Sequence, residues 1–128
     1  MNSILIDTNF YVDIMRGAPH AQKLTCRMEK IVLCPIVLGE LLFGFKNGHY
    51  EHQNIERLHA FLNLPSVQVV PLTTKTSEFY ALLNHQLKVA GTPIPTNDIW
   101  IAACAMEHGL ALATSDQHFQ KIHNLLLT

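Results

Sequence analysis

The chain is poor in cysteine and has no long apolar run. Its three cysteines, Cys26, Cys34 and Cys104, follow no metal-ligand spacing, and we expect reduced core thiols in a cytoplasmic protein. No apolar run approaches the roughly 18 residues of a membrane-spanning helix. The first residues also lack the basic region and apolar stretch of a secretion signal. The sequence therefore predicts neither membrane insertion nor secretion.

Repeats, low-complexity tracts and linkers are also missing. A length of 128 residues is enough for one domain, predicted over 1–128, that buries its own core. Hydrophobic residues make up 48% of the chain, and the mean hydropathy is +0.16. Two explanations are open: a partner covers apolar surface, or a parallel sheet is buried on both faces.

The chain has almost no net charge, which at first argues against a nucleic-acid partner. The formal charge is −1 at pH 7, from nine Lys and Arg and ten Asp and Glu. If four of the acids form a metal site, the basic residues exceed the remaining six acids by three. A phosphate chain can use such a mildly basic remainder, although solvated helix faces explain any single basic residue equally well.

Short apolar segments alternate with helical patterns, which predicts an α/β fold with a parallel sheet and helices on both faces. Strands are predicted over 3–6, 31–34, 67–70 and 110–113, with a further edge strand over 125–127. Helices are predicted over 9–16, 19–30, 36–46, 50–62, 77–90 and 98–106.

Four acids are predicted to meet at one edge of this sheet. Asp7 follows the first strand and Asp116 follows the last. Asp98 begins the helix before the last strand, and Glu40 lies early in the helix after the second strand. Because these helices run antiparallel to the strands, their first turns lie where the strands end. Open α/β sheets bind ligands at this edge.

Each acid also has an ordinary structural explanation. Asp98 suits the first turn of any helix, and Asp7 and Asp116 suit turns after strands. Glu40 is the most informative, because its helix is apolar on every side and burial of an unpaired carboxylate costs several kcal/mol. A salt bridge or an escape to solvent is its alternative.

Four carboxylates in one cleft would repel one another unless a cation joined them. Oxygen ligands favour hard ions such as Mg²⁺, whereas zinc prefers His or Cys, and none is expected beside Asp7, Glu40 or Asp98. The neighbouring polar residues are expected either to orient the acids or to cap turns: Thr8, Asn9, Thr114 and Ser115.

The eight histidines do not follow a zinc-hydrolase spacing. His49, His52 and His59 are predicted on an exposed helix face. His118, two residues after Asp116, is interpreted as a surface histidine, with a contact to phosphate or a place at the rim of the site as its alternatives. The large aromatic residues Trp100 and Phe119 are predicted to pack rather than to stack on bases.

Four segments together resemble the PIN-domain ribonucleases, and among them the bacterial VapC-type toxins. They are Ile6-Asp7-Thr8-Asn9, Leu38-Gly39-Glu40-Leu41, Asn97-Asp98-Ile99-Trp100-Ile101-Ala102-Ala103 and Ala113-Thr114-Ser115-Asp116 with Phe119. The resemblance implies a three-layer α/β/α sandwich with a central parallel sheet, commonly a homodimer inhibited by a cognate antitoxin. It implies an endoribonuclease dependent on Mg²⁺ or Mn²⁺, with Asp7, Glu40, Asp98 and Asp116 as both catalytic and metal-binding residues.

Two positions depart from that pattern. His118 stands where many relatives carry another acid, and Val37 where relatives often have a small hydroxyl residue. Other classes fit less well: an aspartyl-phosphate phosphatase needs a second Asp where Asn9 stands. A phosphate-receiver domain needs an acidic pair and a late lysine. An RNA-maturation nuclease, or a non-catalytic RNA- or protein-binding module on the same fold, remains an alternative.

Overall fold

The computed structural model describes residues 2–123 and 125–128, and its centre is a four-stranded parallel sheet. The strands are β1 (Ser3–Ile6), β2 (Lys30–Leu33), β3 (Val67–Val69) and β4 (Ala111–Ala113), in the order β3-β2-β1-β4. In register, Ile4 of β1 lies between Ile31 of β2 and Ala111 of β4. The central strands are apolar without interruption because helices cover both of their faces.

In the described part of the chain, six helices complete the α/β/α sandwich. They are α1 (Thr8–Met15), α2 (Pro19–Thr25), α3 (Pro35–Lys46), α4 (Glu51–Leu62), α5 (Thr74–Ala90) and α6 (Thr96–Glu107), and a 3-10 helix follows at Gln117–Lys121. Right-handed crossovers place α1 to α4 on one face of the sheet and α5 and α6 on the other. Helix α3 packs on α1 and α4, and α5 packs on α6, while α3 also contacts α6. The predicted fold class is confirmed.

The order in which strands are added to the parallel sheet reverses between β1 and β4. From β1 the chain moves outward to β2 and β3, and it then crosses back to form β4 on the other side of β1. The loops after β1 and β4 therefore diverge toward opposite layers and leave a crevice between them. Such a switch point is the usual ligand site of an open parallel sheet, and Asp7 and Asp116 flank it.

Most predicted elements are present, but some boundaries differ. Helix α2 ends at Thr25 rather than near residue 30, because Lys30 already belongs to β2. Helix α5 begins at Thr74 rather than at 77, because Thr73 caps it with a reciprocal bond to Thr76. The predicted strand at 125–127 is a single parallel bridge between Leu112 and Leu127. The 3-10 helix was not predicted.

The three cysteines are free thiols, but only two lie in the core. Cys34 and Cys104 are buried as predicted, whereas Cys26 is exposed at the end of α2, so its core assignment is wrong. Phe119 is buried, and Trp100 stacks on Tyr80 with ring centroids 4.1 Å apart, which confirms packing roles for both. Within residues 2–123 and 125–128, no helix has the length and apolarity needed to cross a membrane.

Candidate active site

One cleft at the carboxyl ends of the strands contains all four predicted acids. Its volume is about 300 Å³, and its lining residues are Asp7, Thr8, Asn9, Glu40, Pro95, Asp98, Ile101, Asp116 and His118. The acids come from four segments that are far apart in the chain, and the parallel topology brings them together at the predicted edge. Their catalytic and metal-binding roles stay predictions.

Asp7 is the most deeply buried of the four acids, with 4% of its surface exposed. It ends β1 and caps α1, so its Oδ1 accepts a hydrogen bond of 2.8 Å from the Phe10 amide. Its Oδ2 accepts one from the Thr114 hydroxyl. Burial raises the pKa of the Asp7 carboxyl, these two bonds oppose the rise, and the nearby Asp116 and Asp98 add to it. A cation in the cleft would relieve that repulsion.

Both carboxylate oxygens of Glu40 are held by neighbouring side chains. Oε1 accepts from the Thr8 hydroxyl at 2.5 Å, and Oε2 accepts from the Asn97 side-chain amide at 3.2 Å. Glu40 is half-buried, although its helix carries apolar residues on every side. Helix α3 buries only Val37 and Leu41 and leaves the rest of its apolar surface partly or fully exposed. The side chain is thus oriented by polar partners in the cleft.

His118 connects the other two acids. Its Nδ1 lies 2.9 Å from Oδ2 of Asp98 and 3.1 Å from Oδ1 of Asp116. Its backbone N–H also donates to Oδ1 of Asp116, which caps the 3-10 helix. The interpretation as a surface histidine is therefore wrong. The turn after Asp116 brings the imidazole back over the carboxylates and makes it part of the cleft wall.

Asp98 lies in the first turn of α6, where it faces Asp116 and His118. Burial raises the pKa of the Asp98 carboxyl, and the hydrogen bond with His118 opposes that rise. The charges of Asp116 and Glu40 raise it further. Asp7 and Asp98 are therefore both in an environment that disfavours their ionised forms while no cation is bound.

The polar neighbours separate into two groups. Thr8 and Thr114 orient Glu40 and Asp7, as expected of supporting residues. Asn9 is exposed at the cleft, and Ser115 is exposed and lines an adjoining cavity instead. Sequence analysis missed Asn97 as a partner of Glu40. Its only signal was an amide directly before Asp98 at the start of a helix.

The residues present fit a divalent cation. Four carboxylates supply hard oxygen donors, and one ligand atom each from Asp98, Asp116 and His118 lie within 4.8 Å of one another. The expectation that no histidine lies beside Asp98 is wrong, so the available donors include a nitrogen as well as oxygens. Such a mixed set accepts transition-metal ions as readily as magnesium.

Comparisons with known proteins agree on one family. The model of the PIN domain matches residues 4–125. Ribonuclease VapC2 of Rickettsia felis is 28% identical and covers 96% of this chain and 94% of its own length. Toxin FitB of Neisseria gonorrhoeae is 30% identical and covers 88% of this chain and 87% of its own length. Among solved structures, VapBC2 from Rickettsia felis bound to a DNA fragment from its promoter contains a chain with a TM-score of 0.87, 27% identity and coverage of 98% and 97%.

Proposed function

The chain belongs to the PIN-domain family, and on that premise we propose that it is a metal-dependent endoribonuclease acting as the toxin of a toxin–antitoxin pair. The resemblance inferred from sequence motifs is thereby confirmed at the level of the family. The observation that carries the activity is the cleft in which Asp7, Glu40, Asp98 and Asp116 converge. The relatives named as ribonucleases and toxins match nearly the whole chain and support the assignment.

Asp7, Asp98 and Asp116 would hold Mg²⁺ or Mn²⁺ directly or through water. When bound, such an ion polarises a phosphate group and lowers the pKa of a coordinated water. The three acids lie at the ends of strands and helices, so the fold itself would bring the ligands of the ion together. Hydrolysis of an RNA phosphodiester bond is the reaction that this arrangement supports.

Glu40 has the position of a residue that orients the attacking water. Each carboxylate oxygen has two acceptor sites, and Thr8 and Asn97 occupy one on each oxygen. The remaining sites can accept a hydrogen bond from water in the cleft. We therefore assign Glu40 the role of aligning the water and accepting its proton, with Thr8 and Asn97 as positioning residues.

An RNA chain can leave the cleft along the 3-10 helix. Asp116 and His118 also line an adjoining cavity, together with Ser115, Gln117, Gln120 and Lys121. This cavity offers one cationic side chain and several hydrogen-bond donors. Such groups suit contacts to phosphate and sugar rather than sequence-specific contacts to base edges. Lys121 is thus the proposed contact for a phosphate next to the one that is cleaved.

A cognate antitoxin is the proposed protein partner, because solved relatives are toxin–antitoxin complexes. Two features of α3 support this. Leu42 and Phe43 are 38% and 66% exposed. Phe45 lines an apolar groove of about 240 Å³ with residues of α1 and α4. Exposed apolar surface of this kind marks protein interfaces. A homodimer in the cytoplasm is part of the same proposal.

The decisive experiment combines RNA cleavage with growth. Wild type, Asp7→Asn, Asp98→Asn and Asp116→Asn are compared with Asp13→Asn, a matched charge change on α1 outside the cleft. We expect cleavage by wild type and Asp13→Asn in Mg²⁺ or Mn²⁺, and none in EDTA or with the cleft variants. Expression of the two active proteins should arrest growth, and antitoxin should restore it.

Three outcomes would change the assignment. Full cleavage of RNA by any two cleft variants would contradict the proposed metal site. Cleavage without growth arrest, with soluble protein confirmed, would favour an RNA-maturation nuclease. Absence of metal binding and of cleavage in wild type would leave a non-catalytic binding module. Thermal unfolding of each variant shows whether its fold is intact.

A further inference from the structure

The imidazole of His118 is held firmly between two carboxylates. Its backbone is anchored on both sides, by the hydrogen bond from its N–H to Asp116 at 2.9 Å and by the adjacent Phe119, which is 1% exposed. Its side chain is 43% exposed, so Nδ1 faces the acids while the ring edge stays open to the cleft. A ring fixed in this way presents one nitrogen to any ion bound by Asp98 and Asp116.

The separations between these atoms match neighbouring ligands of one ion. Metal–ligand distances near 2.1 Å in an octahedral site place adjacent ligand atoms about 3.0 Å apart. The distances from Nδ1 to the oxygens of Asp98 and Asp116 are 2.9 and 3.1 Å. The three ligand atoms also lie within 4.8 Å of one another, so an ion bound between them would contact all three with little movement of the side chains.

We propose that His118 is a direct ligand of the catalytic ion, giving a site with one nitrogen donor that prefers Mn²⁺ to Mg²⁺. The reason is ligand chemistry: both ions take oxygen ligands, but Mn²⁺ is a transition-metal ion and accepts an imidazole nitrogen more readily than Mg²⁺ does. This inference rests on the metal dependence in the proposed function and goes beyond it by naming a fifth residue and the ion it selects. A purely electrostatic role, with a protonated His118 bridging two carboxylates, is the competing explanation.

The test measures metal binding rather than activity. Mn²⁺ and Mg²⁺ are titrated into the metal-free full chain by calorimetry, and pulsed electron paramagnetic resonance of bound Mn²⁺ detects coupling to an imidazole ¹⁴N nucleus. The variants are His118→Asn, which replaces the imidazole nitrogen by a neutral amide, and His118→Asp, which replaces it by a carboxylate oxygen. His85→Asn is the matched control, because His85 is exposed on α5 and does not line the cleft.

Wild type and His85→Asn should show ¹⁴N coupling and bind Mn²⁺ more tightly than Mg²⁺. In His118→Asn the coupling should vanish and Mn²⁺ affinity should fall at least about tenfold, the lower end of the loss seen even for outer-shell partners of a metal. His118→Asp should bind Mn²⁺ without ¹⁴N coupling and have a lower ratio of Mn²⁺ to Mg²⁺ affinity than wild type. Circular dichroism confirms that each variant is folded.

Two negative results have separate meanings. Mn²⁺ binding without ¹⁴N coupling in wild type, or an unchanged preference in both His118 variants, would overturn the role of His118 while leaving the metal-dependent nuclease intact. Absence of binding of either ion to wild type would overturn the metal dependence itself, and the proposal for His118 with it.

Discussion

The Thr114 hydroxyl donates a hydrogen bond to the buried carboxylate of Asp7, which lies 107 residues earlier in the sequence. The same hydroxyl oxygen accepts the N–H of Asp116 at 2.9 Å. One small side chain therefore fixes the first and last acids of the cleft relative to each other. This contact connects the ends of β1 and β4, the two strands between which the strand order reverses.

Replacement of Thr114 by valine should destabilise the protein while keeping its shape. Asp7 would lose a donor in a buried site, and an unsatisfied buried group costs about 1–3 kcal/mol. Chemical denaturation of Thr114→Val at neutral pH measures this loss, and RNA cleavage should fall as well. Thr114→Ser keeps the hydroxyl and is the control. Equal stability of wild type and Thr114→Val would contradict the importance of the bond.

Loss of the partners of Glu40 should slow cleavage without weakening RNA binding. Thr8→Val and Asn97→Ala each free one carboxylate oxygen, and misorientation of a catalytic group by loss of such a partner typically costs about 10–100-fold. The reduction should appear in kcat rather than KM. Thr8→Ser should retain most of the activity. An effect confined to KM would instead assign these residues to substrate binding.

The raised pKa values of Asp7 and Asp98 predict a pH dependence of stability in metal-free protein. Above their ordinary pKa of 3.8, the folded protein keeps protons that the unfolded chain has released. Their contribution to the free energy of unfolding therefore falls as pH rises from 3.8 through the folded pKa values, and it is constant above them. Chemical denaturation in EDTA across this pH range should show a shallower fall in the free energy of unfolding for Asp98→Asn than for wild type. Identical pH profiles would show that burial of Asp98 does not affect its titration.

Addition of a charge to the exposed surface of α3 should weaken antitoxin binding. Phe43 is 66% exposed, so Phe43→Glu leaves the core intact, yet it introduces a charge at the proposed interface and should cost about 2 kcal/mol of binding, as at an interface hot spot. Calorimetry with the cognate antitoxin measures the change, and RNA cleavage without antitoxin should not alter. Val89→Glu on α5, at a site that is 74% exposed, is the matched control. Equal losses in both variants would place the interface elsewhere.

The fold and the meeting of the acids followed from sequence because local patterns specify both. Strands buried on both faces have short apolar sequences, which are easy to recognise. Because β1 and β4 are parallel and an acid follows each of them, Asp7 and Asp116 lie at the same edge of the sheet. The contact between His118 and Asp98 depends on the orientation of a 3-10 turn relative to the first turn of α6. No local pattern encodes that orientation, so the sequence could place His118 near Asp116 but not against both acids.

Exposure was harder to predict than position. Helix α3 carries apolar residues on every side, so the sequence offered no stripe to show which side faces the core, and it left open whether Glu40 is buried or reaches solvent. Cys26 has Leu24 and Met28 two residues away on either side, but α2 ends just before it and leaves it on the surface. The pairing of Asn97 with Glu40 joins residues 57 positions apart and required the three-dimensional arrangement of α3 and α6.

The bond between Thr114 and Asp7 also has a consequence for the timing of synthesis. During translation, Asp7, Glu40 and Asp98 are made before the strand that brings Thr114 and Asp116 into the sheet. Until the segment after Ala113 has left the ribosome, the cleft lacks one wall and the first acid lacks its partner. A growing chain therefore has no complete cleft, because the last of the four acids and the partner of the first acid are added together, directly after the final strand.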